Sequence, residues 1–341
     1  MVHAIMMTPN ELRASIDRLP RVSLAAVPTP IQEAPNLTKE LGGPRILIKR
    51  DDLTGLGFGG NKVRHMEFCM AHAISKGADV SINANLWVSN NSRIIGAASK
   101  KMGMHFICVV VGGKDKPMQG NLLLLDLLGT ELHLLDTTDE EEVTGYVTAL
   151  TEKVIAGGNS PYVHPSELMS RASGSIGYLD ATLEIVHQLK DFHVEALKIY
   201  VVSGASHGGL ALGAKVLGLP WDVTGVLVAP PSIYFADTIG WTNGAAEFLG
   251  LTTSLEPEEV VQIDDYIGPG YAEIGPDCVE AMRMMAELEG IILEPIYTGK
   301  ALAAVIDHTR KGILSDKDTV LFMHTGGLPE LFNYADILKR I

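Results

Sequence analysis

The sequence has few cysteines, and their positions argue against a metal site. Among 341 residues there are only three, Cys69, Cys108 and Cys278, and they are widely scattered. Their spacings do not suggest metal ligands, so no metal is predicted. Cys69 and Cys108 lie within apolar segments, which indicates reduced thiols in a hydrophobic core.

Positive charge is also scarce. Lys and Arg number 27 against 41 Asp and Glu, which gives a formal net charge of −14. Nucleic acid is therefore not expected as the main partner, because a phosphate backbone requires clustered Lys and Arg. A local positive pocket for a single anion is still compatible with this composition.

Long apolar runs are lacking as well. No stretch of about 18 apolar residues predicts a membrane span. Residues 1–8 lack the basic region and long apolar stretch of a secretory signal. We therefore expect no membrane association and predict a cytoplasmic location.

The sequence does contain an alternation of short apolar strands and amphipathic helices. This alternation indicates βαβ units around parallel sheets, hence an α/β fold, and the length suits two domains. The acidic run 136–142 predicts the exposed start of a helix. Other strands are predicted at 46–49, 79–84, 106–111, 131–135, 199–202, 223–228 and 319–322, and other helices at 63–76, 92–101, 122–128, 177–191, 210–217, 276–289 and 299–311.

A glycine-rich segment, residues 55–64, places Lys62 at the predicted start of a helix. The positive end of a helix and burial both oppose protonation of an ammonium, and a lysine with a lowered pKa is a Schiff-base nucleophile. The segment is not a nucleotide-binding P-loop, because Asn61 separates Gly60 from the lysine and Val63 follows it. A surface lysine in a flexible turn remains the alternative.

A second glycine-rich segment, residues 203–209, follows an apolar strand and precedes the helix predicted from Leu210. A strand, a tight turn and a helix N-terminus form an anion site, to which Ser203 and Ser206 could add hydroxyl donors. The spacing is not that of a dinucleotide fold and suits a single phosphate better. An ordinary turn is the alternative, and His207 is either structural or catalytic.

Three further segments end strands or begin helices. Thr325 follows a strand, where ligands of open α/β sheets bind. Tyr297 and Thr298 precede a helix and offer hydroxyl groups, although a buried tyrosine and a helix cap would look the same. The polar segment 89–93 could bind a carboxylate at a helix N-terminus, or Asn90 or Asn91 could simply cap that helix. A reactive lysine, a phosphate loop and an anion site together suit pyridoxal phosphate.

These segments resemble the D-cysteine desulfhydrase and 1-aminocyclopropane-1-carboxylate deaminase family, within the tryptophan-synthase-β-like enzymes that use pyridoxal phosphate. The similarity extends from about residue 20 to residue 334. The matching motifs are 27–30 (VPTP), 48–54 (IKRDDLT), 59–64 (GGNKVR), 264–266 (DDY), 269–271 (PGY), 295–301 (PIYTGKA) and 324–327 (HTGG).

The resemblance implies a role for each candidate cofactor residue. Lys62 would carry the cofactor as an imine, Asn90 would bond its ring hydroxyl, and Thr298 would face the pyridine nitrogen with Thr325 nearby. A neutral partner for that nitrogen suits lyase chemistry. The phosphate would be held by the segment containing Ser203, Gly204, Ala205, Ser206, His207 and Gly208.

The resemblance also implies the substrate-facing residues and the architecture. Ser89 would lie close to the substrate α-carbon or carboxylate, and Tyr271 and Tyr297 would lie over the substrate as acid–base groups. The fold would be fold type II of the pyridoxal phosphate enzymes, with two open twisted parallel-sheet domains. Residues 1–60 and 165–341 would form the large cofactor-binding domain, and residues 61–164 the small α/β domain. A homodimer is expected.

The implied activity is α,β-elimination from a small amino acid to a 2-keto acid and ammonia. Cyclopropane ring-opening deaminases have glutamate at the position of Thr298, so that activity is less favoured. Trp87, Val88 and Asn91 depart from the family's Gln-Ser-Asn-His or Gln-Ser-Asn-Gln loop. Deamination of 1-aminocyclopropane-1-carboxylate, racemisation, or β- or γ-replacement in a specialised pathway therefore stays open, as does a non-catalytic binding protein.

Overall fold

The computed structural model describes residues 6–166, 168–230 and 237–339. The first five residues, on which the prediction of no secretory signal partly depends, lie outside these ranges. Among the helices in the described ranges, none combines the length and apolarity that crossing a membrane requires.

The described residues form ten strands in two sheets. The strands are β1 (Ile31–Glu33), β2 (Arg45–Lys49), β3 (Val80–Leu86), β4 (His105–Val111), β5 (Glu131–Leu134), β6 (Pro161–His164), β7 (Leu197–Val202), β8 (Trp221–Val226), β9 (Val261–Ile263) and β10 (Thr319–Met323). The six-stranded sheet has the order β1-β2-β10-β7-β8-β9, and the four-stranded sheet has the order β5-β4-β3-β6.

In the same described ranges, twelve α-helices connect or flank these strands. They are α1 (Pro9–Ile16), α2 (Pro35–Leu41), α3 (Lys62–Ser75), α4 (Asn90–Lys101), α5 (Gly120–Leu127), α6 (Glu140–Ala156), α7 (Leu168–Phe192), α8 (Ala205–Leu217), α9 (Thr238–Leu249), α10 (Pro276–Glu289), α11 (Thr298–Arg310) and α12 (Ala335–Leu338). Asp139 caps α6 with its carboxylate, which confirms that the acidic run starts an exposed helix.

Both sheets are parallel except at one edge. In the larger sheet Leu321 of β10 pairs with Leu47 of β2 and Ile199 of β7, both in parallel register. The exception is β1, which pairs antiparallel with β2. The predicted α/β class with two parallel-sheet units is confirmed, with this antiparallel edge strand as an addition.

Apolar residues cover both faces of the six-stranded sheet, which explains why its central strands are continuous apolar runs. Leu321 and Ile199 lie in a core with α7 and α8, whereas Phe322 and Tyr200 lie in a second core with α10 and α11. The four-stranded sheet has its own cores around Phe106 and around Ile107.

The parallel arrangement brings distant loops to one edge. Because β7 and β10 are neighbours and parallel, the segments that begin at Ser203 and at His324 leave the sheet at the same edge. Open α/β sheets bind ligands at this edge, beyond the carboxyl ends of their strands. Where the two domains divide stays a prediction.

Candidate active site

The lysine loop is held tightly against two other segments. Lys62 is the first residue of α3, as predicted. Gly60 has φ of +116° and donates its N–H to Asp51 O at 3.1 Å. A Cβ at Gly60 would lie 3.0 Å from Thr325 O, so only glycine permits this close approach. The loop is therefore a fixed support for the lysine rather than a flexible turn.

The amine of Lys62 is suited to react. The side chain is half-buried, and none of the residues in the described ranges forms a hydrogen bond or ion pair with Nζ. Burial lowers the pKa of Lys62 to about 8. Roughly a tenth of the amine is therefore neutral and nucleophilic at pH 7, compared with well under 1% for an ordinary surface lysine.

The second glycine-rich segment is a helix start rather than a loop. Helix α8 begins at Ala205, five residues before the predicted start at Leu210. The reason is packing: a Cβ at Gly208 would collide with Thr242 Oγ1, and one at Gly209 would lie 2.5 Å from Ser175 O. These two glycines let α8 approach its neighbours, so they are compatible with helix despite their low propensity.

Because α8 begins at Ala205, its N-terminus lies within the segment that was predicted to hold the phosphate. The first N–H groups of a helix lack intrahelical partners and attract anions. In α8 these groups belong to Ala205, Ser206 and His207. Gly204 precedes them with φ of +131°, a conformation that favours glycine.

Asn61 connects the lysine loop to the start of α8 and to the segment that follows β10. Its side-chain Nδ2 donates to Ser206 Oγ at 2.9 Å, and its backbone N–H donates to Thr325 O at 3.0 Å. His65 Nε2 lies 3.4 Å from the same Ser206 Oγ. The structure thus brings three segments together that the sequence places more than 100 residues apart.

His207 has a structural side chain. Its imidazole packs under α8 against Gly225, and Nε2 lies 3.4 Å from Val223 O. Burial lowers the pKa of His207 to about 4. The ring is therefore neutral near pH 7, and only the backbone of this residue faces the helix N-terminus.

Helix α4 presents Ser89 and Asn90 at its N-terminus. The cap is Ser89, whose Oγ accepts from Ser92 N at 3.3 Å, rather than Asn90 or Asn91. Asn90 is instead bound by Arg93 and Asn121, which both donate to its Oδ1. Its Nδ2 lies 3.0 Å from the position that a Cβ on Gly327 would take, so Asn90 borders the loop after β10.

Thr298 begins α11 and is bound to Glu294. Its Oγ1 accepts from Glu294 N at 3.0 Å and lies 3.2 Å from Glu294 Oε1. The same carboxylate accepts the N–H groups of Ile296, Tyr297 and Thr298. Burial raises the pKa of Glu294 to about 7, against the lowering effect of these donors. Glu294 was not among the predicted site residues, because no capping pattern places a glutamate at this position and its contacts depend on how the turn 294–298 folds.

Tyr271 and Tyr297 form a pair. Their hydroxyl oxygens are 2.5 Å apart and their ring centroids 6.2 Å apart. Both pack against a small apolar cluster that contains Val88 and Ile296, and Trp87 packs there too. Trp87 and Val88, two of the three residues that depart from the family loop, therefore lie beside the tyrosines predicted to cover the substrate.

The buried charges that support the lysine loop were not among the predicted site residues either. Arg64 donates to Asp51 through both Nε and a terminal nitrogen, at 2.9 and 2.8 Å. Tyr178 donates to the same carboxylate at 2.6 Å. Burial alone would raise the pKa of Asp51, but Arg64, Lys49 and Tyr178 together outweigh it and the pKa is about 2. The repeated charges of residues 50–52 and 64 were the available signal.

The chemistry of these groups fits one cofactor. Within the described residues, neither the Lys62 amine nor Asn90 Nδ2 has a hydrogen-bond partner. The amine, with its lowered pKa, suits an aldehyde, the N-terminus of α8 suits one phosphate, and Asn90 Nδ2 suits an anionic oxygen. Fold and site therefore define an enzyme that uses pyridoxal phosphate.

Comparison with known families agrees with this class. A family model described as pyridoxal-phosphate dependent enzyme matches residues 22–326, so the chain belongs to this family. The cofactor is pyridoxal phosphate.

Similar proteins are known along nearly the full length. D-cysteine desulfhydrase of Klebsiella pneumoniae is 36% identical over 328 residues, which cover 94% of this chain and 98% of that protein. A crystal structure described as an ACC deaminase homologue matches with a TM-score of 0.86 and 35% identity, covering 97% of this chain and 99% of that one. ACC is 1-aminocyclopropane-1-carboxylate.

Proposed function

We propose that this enzyme is a lyase that acts on a small amino acid with a leaving group on its β-carbon. With cysteine and water as substrates, the products would be pyruvate, ammonia and hydrogen sulfide. The observation that carries this proposal is that Asn61, the residue before Lys62, contacts both Ser206 at the N-terminus of α8 and Thr325, and so anchors a lysine whose pKa is lowered beside both segments. The similarity to D-cysteine desulfhydrase supports the reaction class.

Each candidate residue has a proposed cofactor contact. When bound, pyridoxal phosphate supplies an electron sink for negative charge at the substrate α-carbon. Lys62 would hold it covalently, Asn90 would donate to its ring oxygen, and Thr298 and Thr325 would border the ring. The residues proposed to hold the phosphate are Ser203, Gly204, Ala205, Ser206, His207 and Gly208.

Proton transfer is assigned to the lysine and the tyrosine pair. With a pKa of about 8, Lys62 can accept a proton at Nζ and return it near neutral pH. The short contact between Tyr271 and Tyr297 lets one hydroxyl donate while the other accepts. Ser89 and the N–H groups at the start of α4 would orient the substrate carboxylate.

A product assay tests this proposal. The enzyme is incubated with D-cysteine, L-cysteine, β-chloroalanine and 1-aminocyclopropane-1-carboxylate, and the 2-keto acid and ammonia are measured. We expect the wild-type enzyme to release keto acid from a substrate with a β-leaving group, and the Lys62→Ala variant to release none. Full turnover by Lys62→Ala would contradict the role of the lysine.

A second candidate is a changed reaction on the same cofactor, namely ring opening, racemisation, or β- or γ-replacement. It is favoured by Trp87 and Val88, which place apolar groups beside Tyr271 and Tyr297. Keto acid from 1-aminocyclopropane-1-carboxylate, or a change of chirality without keto acid, would support it. Rapid pyruvate release from D-cysteine would count against it.

We also propose that the enzyme is a cytoplasmic homodimer. The buried free thiols of Cys69, Cys108 and Cys278 are typical of a reducing compartment, and the family resemblance supports the dimer. Light scattering on the purified protein should give about twice the chain mass of 36.6 kDa. The mass of a single chain at micromolar concentration would contradict the dimer.

A further inference from the structure

A buried arginine lies behind Asn90, on the side away from the cofactor site. The Arg93 side chain is 1% exposed. It donates to the carbonyl oxygens of Gly57 and Gly59 in the lysine loop. Burial lowers the pKa of Arg93 to about 10, with Glu330 opposing this effect, so the guanidinium stays charged at neutral pH.

Arginine can only donate hydrogen bonds, and this fixes the orientation of a neighbouring amide. Arg93 Nε lies 2.8 Å from Asn121, so the amide atom that faces it must be the oxygen, Oδ1. The amide nitrogen of Asn121 then points the other way, where it donates to Val88 O at 3.0 Å and to Asn90 Oδ1 at 3.1 Å.

The same constraint passes to Asn90. Its Oδ1 accepts from Asn121 Nδ2 and from a terminal nitrogen of Arg93 at 3.2 Å. A flipped amide would place its NH2 group against two donors and leave buried polar groups without hydrogen-bond partners, which is unfavourable. The Nδ2 of Asn90 therefore has to point toward Gly327 and the loop after β10.

That nitrogen is free to bind something else. Among the residues in the described ranges, none accepts a hydrogen bond from Asn90 Nδ2. We propose that Arg93 and Asn121 are positioning residues that hold the Asn90 amide with its NH2 group toward the cofactor, as a donor to the ionised ring oxygen. This inference rests on the proposed cofactor contact of Asn90.

The arrangement has a chemical consequence. A fixed donor next to the ring oxygen stabilises its ionised form, and a buried positive charge behind the amide strengthens that donor. Loss of the orientation should weaken cofactor binding and favour the uncharged form of the bound chromophore, which absorbs at shorter wavelength. A purely structural role for Asn121 would change stability without this spectral effect.

Asn121→Asp is the direct perturbation. Aspartate has nearly the same shape and still accepts from Arg93 Nε, but it cannot donate to Asn90 Oδ1. We expect the dissociation constant of pyridoxal phosphate to rise at least about tenfold and the absorbance to move to shorter wavelength. The unfolding midpoint of the apo-enzyme should fall, because a carboxylate oxygen then faces Val88 O and Asn90 Oδ1 although Arg93 gains a charged partner, so the spectrum rather than the midpoint is the discriminating readout. Asn36→Asp, which alters an exposed amide bonded to Leu288 O, is the matched control and should bind the cofactor normally.

A double-mutant cycle with Asn90→Ala separates orientation from other effects. Without an amide at position 90 there is nothing to orient, so adding Asn121→Asp should cause little further loss of affinity. An equal loss in both backgrounds, or wild-type affinity and spectrum for Asn121→Asp alone, would overturn the inference. If Asn90→Ala itself binds the cofactor as tightly as the wild type, the proposed contact of Asn90 fails and the inference fails with it.

Discussion

The buried pair of Asp51 and Arg64 should be the strongest electrostatic support of the lysine loop. Four donors surround the Asp51 carboxylate: two from Arg64, one from Tyr178 at 2.6 Å and one from Thr29 at 2.7 Å. Asp51 and Arg64 are 0% and 1% exposed. Asp51→Asn removes the charge and turns an NH2 group toward groups that themselves donate, while Arg64 keeps Glu184 as a partner.

The expected cost of Asp51→Asn is about 3 kcal/mol of unfolding free energy, within the range found when one partner of a buried pair is removed. An independent value comes from the pKa of Asp51, which is lowered from 3.8 to about 2. That difference corresponds to about 2 kcal/mol. The two figures agree on the order of magnitude.

The pH dependence has a definite sign. Because the pKa of Asp51 is lower in the folded state, its stabilisation is complete above pH 3.8 and disappears as pH falls toward about 2. The stability difference between the wild type and Asp51→Asn should therefore be constant near neutral pH and shrink only below about pH 4.

The assay is urea unfolding of the apo-enzyme, with Glu280→Gln as the matched control. Glu280 also forms a two-pronged pair with an arginine, Arg310, but both side chains are 49% exposed. Loss of this exposed ion pair should lower the unfolding free energy by about 0–1 kcal/mol. If Asp51→Asn fails to fold, Tyr178→Phe removes one donor and should cost about 1–2 kcal/mol. Equal costs for the buried and exposed pairs would refute the reasoning.

Three further predictions concern the glycines, the lysine and the thiols. Gly326→Ala should cost about 2–4 kcal/mol in urea unfolding, because φ is +89° and its Cβ would lie 2.6 Å from Gly60 Cα. Gly290 has a similar φ of +68°, but a Cβ there would meet open space, so Gly290→Ala should lower the unfolding free energy by only about 1 kcal/mol. Equal losses for the two variants would contradict a clash between a Cβ at position 326 and Gly60. Condensation of Lys62 with added pyridoxal phosphate should accelerate with pH and level off above about pH 8, and a rate still rising at pH 10 would indicate an ordinary lysine. Burial raises the pKa of the three cysteine thiols to about 11 or 12, so they should react with a thiol reagent only after unfolding. Fast labelling of the native protein would contradict this.

Local patterns predicted most of the sheet and the position of the lysine. The central strands are apolar runs, and Lys62 begins its helix as expected because glycines precede a periodic apolar stripe. Residues 9–16 were missed, although Thr8 and Glu11 form a capping box that could have revealed them. Strand β6 was missed because Pro161, which opens it, is usually a strand breaker.

The remainder depends on contacts between residues far apart in the sequence. Gly208 and Gly209 argue against helix locally, and only the closeness of Thr242 and Ser175 explains why helix is favoured. The bond from Asn61 to Ser206 and that from Arg93 to Asn121 likewise depend on tertiary structure. Sequence patterns could indicate which residues do chemistry, but not which residues hold them in place.

The central claim is that the amine of Lys62 binds the aldehyde of pyridoxal phosphate. The most direct measurement is borohydride reduction of the loaded enzyme, followed by proteolysis and mass spectrometry. We predict one reduced pyridoxyl group per chain, on the peptide that contains Lys62. A label on a different lysine, or no label in a fully loaded sample, would contradict the claim.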